Sequence, residues 1–245
     1  MKIMELSLGS FLLFGRYQKA EILWRKVAQP NVFLDTCGFS SLMVDAPEPE
    51  STREAIRNRG SNFFPQTNIC TWLNSERKDW YIPQHDKDAV EDSMKADYSG
   101  FLHEFEPWEK EIILPQEITT VVPGGYRRRF GSQTKTTVKV SIPSSSQLYQ
   151  RDDESEGALF EWYRDRDHWR RNMVTRTAVG TGVLVTGHKG MFCNMPPCSK
   201  GGIYPCVLID QLSEVDYWID ESAYILCPPQ SYIKETIDEL HQILK

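Results

Sequence analysis

Three cysteines late in the chain, Cys193, Cys198 and Cys206, carry the most readily named chemistry. Thiolates bind soft metals and take part in redox reactions. Their spacings miss the CxxC pairs that make a zinc site specific. The chain has six cysteines in 245 residues, which is too sparse for a disulfide scaffold. We therefore interpret the three as ordinary half-buried thiols, and keep a metal or redox role as the alternative.

The segment 162–172, WYRDRDHWRRN, is the second candidate. Its arginines, with Trp162, Tyr163 and Trp169, could stack on bases and contact phosphates. A second basic stretch, YRRRF at 126–130, fits the same chemistry. Acidic side chains alternate with the arginines of 162–172, however, which is equally typical of a solvated face with weak ion pairs. Nucleic-acid binding is therefore an alternative hypothesis.

The histidines, the acidic run and the glycine-rich run do not form a catalytic or phosphate-binding motif. His168 and His188 are far apart in sequence, and no Gly-x-Ser-x-Gly elbow is present. His85 fits a surface turn. The GTG at 180–182 lies inside a strand pattern with no helix after it. The acidic run at 47–50 fits a solvated loop better than a calcium site. We predict no catalytic residue, no metal and no cofactor.

Composition limits the class of protein further. The chain is 40% hydrophobic and 25% charged, which predicts a folded domain with a sizeable core. Its net charge of -6 gives no general attraction for nucleic acid or an anionic membrane. The apolar patch after Ser10 is too short for a signal peptide or a membrane span. We expect a cytoplasmic or virion-associated protein without a membrane partner.

The first half of the chain predicts a hairpin and a short helix. FLLFGRYQ and AEILWRKVA are typical of two strands joined at a Gln-Lys turn, with Trp24 and Val27 facing inward. VFLDTCGFSSLMVD continues as a strand into a proline-rich loop. Thr67 is a good N-cap, and the apolar residues after it share one helical face. The members of that face are Ile69, Trp72 and Leu73. Asn74 ends the helix, and we expect turn amides at Asn58, Asn62 and Asn68.

The second half predicts strands between two further helices. A helix is expected over 100–114, with Pro107 opening a new first turn. TKTTVKVSIPSS is typical of one strand, with Val138, Val140 and Ile142 on a shared face. The stretch between His188 and Tyr204 is expected to be a loop before a last strand, VLID. An amphipathic helix with Ser231 as N-cap closes the chain. Short helices with many short strands predict the α+β class.

Six landmarks in the chain resemble, in order, those of an uncharacterised bacterial and bacteriophage domain family. They are LGSFLLFGRY, NRGSNFFPQTNICTWLNS, DWYIPQHDKDA, GFLHEFEPWEKEIIL, VSIPSSSQL and RTAVGTGVLVTGHKGMF…GGIYPCVLI, covering about 8–210. The family carries FG-x-Y, WLNS, GFL and GVRPAL-type landmarks. This chain keeps Arg176 and Thr177 of the WLR(S/T)P strand without its tryptophan, and has Tyr204 where the arginine of GVRPAL stands.

The resemblance implies a C-type-lectin-like mixed sheet with short helices and long loops. That fold is shared with phage receptor-binding variable proteins and with the formylglycine-generating enzymes. It implies a domain over 1–212, followed by an extension with an amphipathic helix over 213–245. The formylglycine-generating enzymes use a late cysteine pair, which gives a copper- or thiol-dependent oxidase using Cys193 and Cys198 as an alternative function. Fold alone does not decide between these functions.

We therefore predict a non-enzymatic recognition or structural module that binds a protein or a carbohydrate through its late loops. Nucleic acid bound through 162–172 is a further alternative. The WLNS segment is predicted to be scaffold. The candidate binding residues are Arg176, His188, Asn194, Lys200, Tyr204 and Trp169.

Overall fold

The structure is a computed structural model, and it describes much of the chain in eleven separate stretches. The described residues are 1–29, 32–35, 39–42, 63–78, 99–121, 132–148, 174–179, 182–186, 192–195, 200–217 and 222–243. Their strands are β1 Phe11–Tyr17, β2 Ala20–Ala28, β3 Val32–Asp35, β4 Phe39–Leu42, β5 Ile113–Leu114, β6 Gln116–Val121, β7 Gln133–Val138, β8 Val140–Ser141, β9 Val174–Val179, β10 Gly182–Thr186, β11 Phe192–Met195, β12 Lys200–Ile203, β13 Cys206–Ile209, β14 Val215–Tyr217 and β15 Tyr224–Leu226. The helices are α1 Asn68–Leu73, α2 Pro107–Ile112, α3 Ser145–Leu148 and α4 Gln230–Ile243, and 3-10 turns span Ile3–Glu5 and Phe64–Gln66.

An eight-stranded sheet forms the centre, in the order β14-β15-β1-β2-β3-β13-β5, with β8 also paired to β13. Strand β15 runs parallel to β1, and the other pairs are antiparallel. Three smaller sheets accompany it: β11-β10-β9, β12-β4 and β6-β7. Mixed sheets with a few short helices confirm the α+β class; the C-type-lectin-like architecture stays a prediction.

The predicted N-terminal hairpin is confirmed. Strands β1 and β2 pair antiparallel around Gln18 and Lys19, which both have positive φ, at 51° and 65°. Two consecutive left-handed residues match the right-handed twist of the strands they join. Trp24 and Val27 are buried as predicted. The Trp24 indole N–H donates to the Phe14 carbonyl at 3.0 Å, so its burial leaves no unsatisfied donor.

Helix α1 also forms as predicted. The Thr67 hydroxyl accepts a hydrogen bond from the Cys70 N–H at 3.1 Å, which satisfies one of the free donors at the helix start. Ile69, Trp72 and Leu73 are all buried. The helix ends at Leu73 with Asn74 as its C-cap. Local signals therefore predicted this element completely.

The predicted helix over 100–114 is wrong in its extent. Residues 101–105 form turns, α2 begins at Pro107, and the chain is extended again from Ile113. Proline lacks an N–H, so a helix begins there more readily than it continues. The Glu106 N–H donates to the Glu109 carboxylate at 2.8 Å, which stabilises the start of α2 at this point. Ile113 then pairs with β13 instead of extending the helix.

Three further expectations are corrected by backbone pairing. The predicted single strand containing Val138 and Val140 is broken at Lys139, because β7 pairs with β6 and β8 with β13. The stretch between His188 and Tyr204 is not only loop, since it supplies β11 to β10 and β12 to β4. Helix α4 begins before Ser231, because the Ile233 N–H already bonds the Pro229 carbonyl.

The segment 213–245, predicted as an extension, contributes to the central sheet. Strands β14 and β15 extend the sheet beyond β1, and a bridge between Lys2 and Glu214 ties the N-terminus to them. Val215 and Leu226 belong to the main core. Helix α4 follows them, and its Tyr232 ring lies 6.2 Å from the Trp108 ring. In the described residues, no helix is long and apolar enough to cross a membrane.

Candidate functional site

Aromatic side chains from three separate landmarks meet in the core. The Trp72 ring of the WLNS helix lies 5.5 Å from the Tyr17 ring of the FG-x-Y strand and 5.5 Å from the Phe101 ring of the GFL turn. Tyr17 and Phe101 are themselves 5.8 Å apart. Phe105 joins Phe101 at 5.4 Å. Edge-on and tilted pairs of this kind are favourable beyond the area that they bury. The landmarks therefore form one packed unit.

Position 15 of the FG-x-Y strand requires glycine for two reasons. Its φ is +69°, a region that other residues adopt only at a cost, and an added Cβ would lie 2.3 Å from the Phe105 ring. The Gly15 N–H donates to Glu109 Oε1 at 2.8 Å. Burial raises the pKa of the Glu109 carboxyl, against the lowering effect of its hydrogen bonds from Gly15 and Glu106. This carboxylate thus connects β1 to α2.

The GFL turn also sits directly on the end of the WLNS helix. The Phe101 N–H donates to the Trp72 carbonyl at 2.9 Å, and the Leu102 N–H donates to the Ser75 carbonyl at 3.1 Å. An added Cβ on Gly100 would lie 2.3 Å from that Ser75 oxygen. The backbone approach is too close for any side chain at position 100.

Asn74 ends α1 as predicted, and its side chain also makes long-range hydrogen bonds that the sequence did not predict. Its Nδ2 donates to the Cys70 and Val140 carbonyls, both at 2.9 Å. Its Oδ1 accepts from the Lys139 N–H at 2.9 Å and from the Val140 N–H at 3.0 Å. One side chain therefore caps α1 and holds the break between β7 and β8. The turn amides predicted at Asn58 and Asn62 lie outside the described residues.

We call this unit the landmark scaffold, and it is built to hold backbone in place. Its members are Gly15, Tyr17, Trp72, Asn74, Gly100, Phe101, Phe105 and Glu109. The neighbouring thiols suit a structural role: burial raises the pKa of Cys70 to about 12, and also that of Cys206, where Arg176 and a Ser141 hydrogen bond act in the opposite direction. Both thiols are protonated at neutral pH and are poor nucleophiles.

Among the predicted site residues, Arg176 is the one whose hydrogen-bond partners the structure defines in most detail. It is 7% exposed, and its Nη1 donates to the Ile142 carbonyl and to Gln147 Oε1, the latter at 2.7 Å. Its Nε donates to the Thr119 carbonyl at 3.4 Å, and its backbone N–H to the Pro143 carbonyl at 3.0 Å. The guanidinium fork therefore fixes β9 to β6 and to the turn at Pro143 and Ser144, which we call the PS turn.

Hydrogen bonds within the PS turn orient the groups that accept from Arg176. Gln147 Oε1 also accepts from the Ser144 N–H at 2.9 Å, and the Ser144 hydroxyl accepts from the Gln147 N–H at 3.1 Å. This reciprocal pair is a capping box at the start of α3. The Thr177 hydroxyl accepts from the Ser145 N–H at 2.9 Å. Arg176 and Thr177, the two residues kept from the WLR(S/T)P strand, both contact the turn.

The remaining predicted residues divide between strands and undescribed stretches. Tyr204 is buried, 8% exposed, just before β13. Asn194 lies in β11 opposite Leu184, and Lys200 lies in β12 opposite Leu42. His188 and Trp169 lie outside the described residues, as do the segments 162–172, 126–130 and 47–50, together with His85, His168 and Cys198. Cys193 lies in β11. The binding roles of the six residues stay predictions.

The described stretches contain no cluster of metal-ligating side chains. Within them, no group of three or more His, Cys, Asp or Glu side chains is placed to hold a metal ion.

Most of the chain matches a known domain family. Residues 31–221 match the family described as a domain of unknown function, DUF6273. The match includes the WLNS, GFL and PS landmarks and β9 to β14, whereas the FG-x-Y hairpin precedes it. No curated protein and no solved structure matches the chain. Because the match covers most of the chain, the protein belongs to the DUF6273 domain family.

Proposed function

We propose that the chain is a non-enzymatic recognition or structural module of C-type-lectin-like architecture. Its ligand surface is assigned to the late strands β11 and β12 and the residues around them, with His188, Asn194 and Lys200 as contacts. The ligand is a protein or a carbohydrate. A bacterial or bacteriophage origin and a cytoplasmic or virion location are parts of the same proposal, which the neighbouring genes of its source genome would test.

The contacts of Arg176 carry this proposal. They connect β9, at the end of the β11-β10-β9 sheet, to the PS turn and to β6 through hydrogen bonds of a buried arginine side chain. Strand β10 pairs with β9, and β11 pairs with β10, so Asn194 is two strands away from this anchor. Specificity-bearing residues on a rigidly mounted sheet are typical of binding modules. Arg176 and Tyr204 serve here as supports for the surface rather than as contacts.

The landmark scaffold supports the same function. Its amide and its carboxylate make hydrogen bonds to backbone groups, and its two glycines allow close approach to neighbouring segments. A module of this kind needs a stiff base, since each group ordered on binding adds an entropic cost. The landmark scaffold supplies this base, because aromatic packing and hydrogen bonds from distant segments restrain the same residues.

The test compares the protein with an Asn194→Ala/Lys200→Ala variant. Labelled protein is applied to a glycan array, and in parallel is used for quantitative affinity capture from bacterial lysates. The control is Lys135→Ala, which removes an exposed strand lysine from the β6-β7 ribbon. We expect the double variant to keep its melting temperature and to lose about tenfold or more in binding to a ligand that the control retains. Equal binding by both variants overturns the proposal.

The oxidase alternative is separated from this proposal by a metal analysis. An oxidase requires bound copper or reactive thiols at Cys193 and Cys198. Purified protein that binds copper stoichiometrically, and loses it in a Cys193→Ala/Cys198→Ala variant, supports the oxidase and contradicts a purely non-enzymatic module. Protein without that behaviour leaves recognition as the better account.

A further inference from the structure

Two tyrosines form a pair at the β14 edge of the central sheet, a different sheet from those of the late strands β11 and β12. Tyr217 of β14 and Tyr224 of β15 are cross-strand partners. Their ring centroids are 4.6 Å apart at an interplanar angle of 36°. The Tyr224 hydroxyl donates to the Tyr217 hydroxyl at 3.1 Å. Tyr217 is 55% exposed, whereas Tyr224 packs partly against the core.

The strands that carry the tyrosine pair are anchored in the core by neighbouring residues. Val215 and Leu226, which precede and follow the pair on the same face, are buried in the core. The Tyr217 N–H donates to Asp216 Oδ1 at 2.8 Å, which occupies the backbone donor at the edge strand. The ring of Tyr217 is therefore offered to solvent by a backbone that is already ordered, so a ligand would bind it at little entropic cost.

The sequence around the pair is acidic. Glu214, Asp216, Asp220 and Glu221 are four acidic residues next to the two tyrosines in sequence. Lys2 is the bridge partner of Glu214, and the Met1 ammonium donates to the Val215 carbonyl at 3.1 Å. An excess of negative charge disfavours an anionic ligand relative to a neutral one.

We propose that the Tyr217–Tyr224 pair is a stacking platform for a neutral saccharide. The exposed ring face suits the C–H face of a sugar, and two hydroxyls at a fixed separation suit its hydroxyl groups. Because Tyr224 donates to Tyr217, the Tyr217 hydroxyl keeps its own proton for a ligand acceptor. A proline-rich peptide also stacks on tyrosine, but proline rings have no hydroxyl groups to bond the two tyrosine hydroxyls. The platform is a second surface, independent of the late strands.

The test uses the whole chain in native affinity electrophoresis. Gels contain dextran, mixed-linkage β-glucan, xyloglucan or galactomannan, which are neutral polysaccharides. We expect retardation in at least one gel. Tyr217→Ala and Tyr217→Gln should weaken binding about tenfold, while Tyr217→Phe keeps most of it because the ring remains. The control Ile225→Ala removes an exposed apolar side chain from the opposite face of β15 and should bind as the unmodified protein does.

Three outcomes overturn the saccharide platform. They are absence of retardation in every gel, equal retardation of Tyr217→Gln and the unmodified protein, and binding of a decaproline peptide in place of the polysaccharides. Melting temperatures accompany each variant, and Tyr217→Gln serves if Tyr217→Ala does not fold. Because Asn194 and Lys200 are untouched in these variants, the outcome is independent of the late-strand proposal.

Discussion

The N–H of Gly15 donates a 2.8 Å hydrogen bond to the carboxylate of Glu109, 94 residues further along the chain. That bond connects the FG-x-Y hairpin, which lies before the family match, to helix α2 within it. The hairpin is therefore part of the same folded unit as the DUF6273 region. Predictions about the landmark scaffold can be made from the residues at this junction.

Replacing Gly15 by alanine should destabilise the protein strongly. The new Cβ would combine a positive φ with an approach of 2.3 Å to the Phe105 ring, and we expect a loss of about 2–4 kcal/mol in the free energy of unfolding. Gly9→Ala is a matched control, since Gly9 also has positive φ but its Cβ would meet only the end of Arg25 at 3.2 Å. Urea unfolding measures both. Equal losses would show that Phe105 does not restrict position 15.

Asn74→Ala should cost about 2–4 kcal/mol, because it removes the acceptor of the Lys139 and Val140 N–H groups and the side-chain donor to two carbonyls. Asn74→Asp should not rescue it, since a carboxylate would face the Cys70 and Val140 carbonyls. The control Thr71→Ala changes an exposed residue on the same helix and should cost little. Chemical unfolding that gives Asn74→Asp the stability of the unmodified protein would exclude the donor role of Nδ2.

The contacts of Asn74 also separate what the sequence predicts from what it does not. Helix α1 is predictable because its N-cap and its apolar face are local signals. The bonds of Asn74 to Lys139 and Val140 span 65 and 66 residues, and no local pattern encodes them. Those same bonds break the strand that alternation alone predicts to be continuous.

The site residues were less predictable for a related reason. An arginine in a late strand is equally compatible with a ligand contact and with a structural bond, and only its partners decide. Arg176 finds them 34 residues away at Ile142 and 29 residues away at Gln147. The apolar run from Phe101 to Ile113 was likewise ambiguous, because a turn, a helix and a strand in succession bury the same residues as one long helix.

Lys26 gives a pH-dependent prediction. The side chain is fully buried, and its ammonium donates to the carbonyls of Ile3 at 3.2 Å and Leu6 at 2.9 Å. Burial lowers the pKa of Lys26 in the folded state below its usual 10.5. The unfolded chain therefore binds more protons between the two pKa values, so this group destabilises the fold at neutral pH and less as pH rises towards 10.5.

The Lys26→Met variant lacks this dependence. We expect the stability of the unmodified protein, relative to Lys26→Met, to increase between pH 7 and pH 10 in urea unfolding. The comparison between the two proteins cancels other titrating groups that they share. A constant difference across that range would show that the Lys26 pKa is the same in both states.

The buried thiols give the free energy of unfolding the opposite pH dependence. Burial raises the pKa of Cys70 and of Cys206 from 9.0 to about 12, so their contribution to stability is complete below pH 9 and is lost as pH rises towards 12. The loss is at most about 1.4 kcal/mol per pH unit for each thiol. A Cys70→Ala/Cys206→Ala variant should show a shallower decline above pH 9. Parallel declines would mean that these thiols ionise equally in the folded and unfolded states.

Native-state hydrogen exchange most directly tests the central claim, that Arg176 fixes the β11-β10-β9 sheet to the PS turn and to β6. The informative amides are those of Gly15 and Phe101 in the landmark scaffold, of Val140, whose N–H donates to Asn74 of that scaffold, and of Arg176, whose N–H donates to the Pro143 carbonyl. We predict that all four exchange with the free energy of global unfolding, to within about 1 kcal/mol. Exchange of the Arg176 amide at a free energy several kcal/mol below that of the scaffold amides would contradict the account.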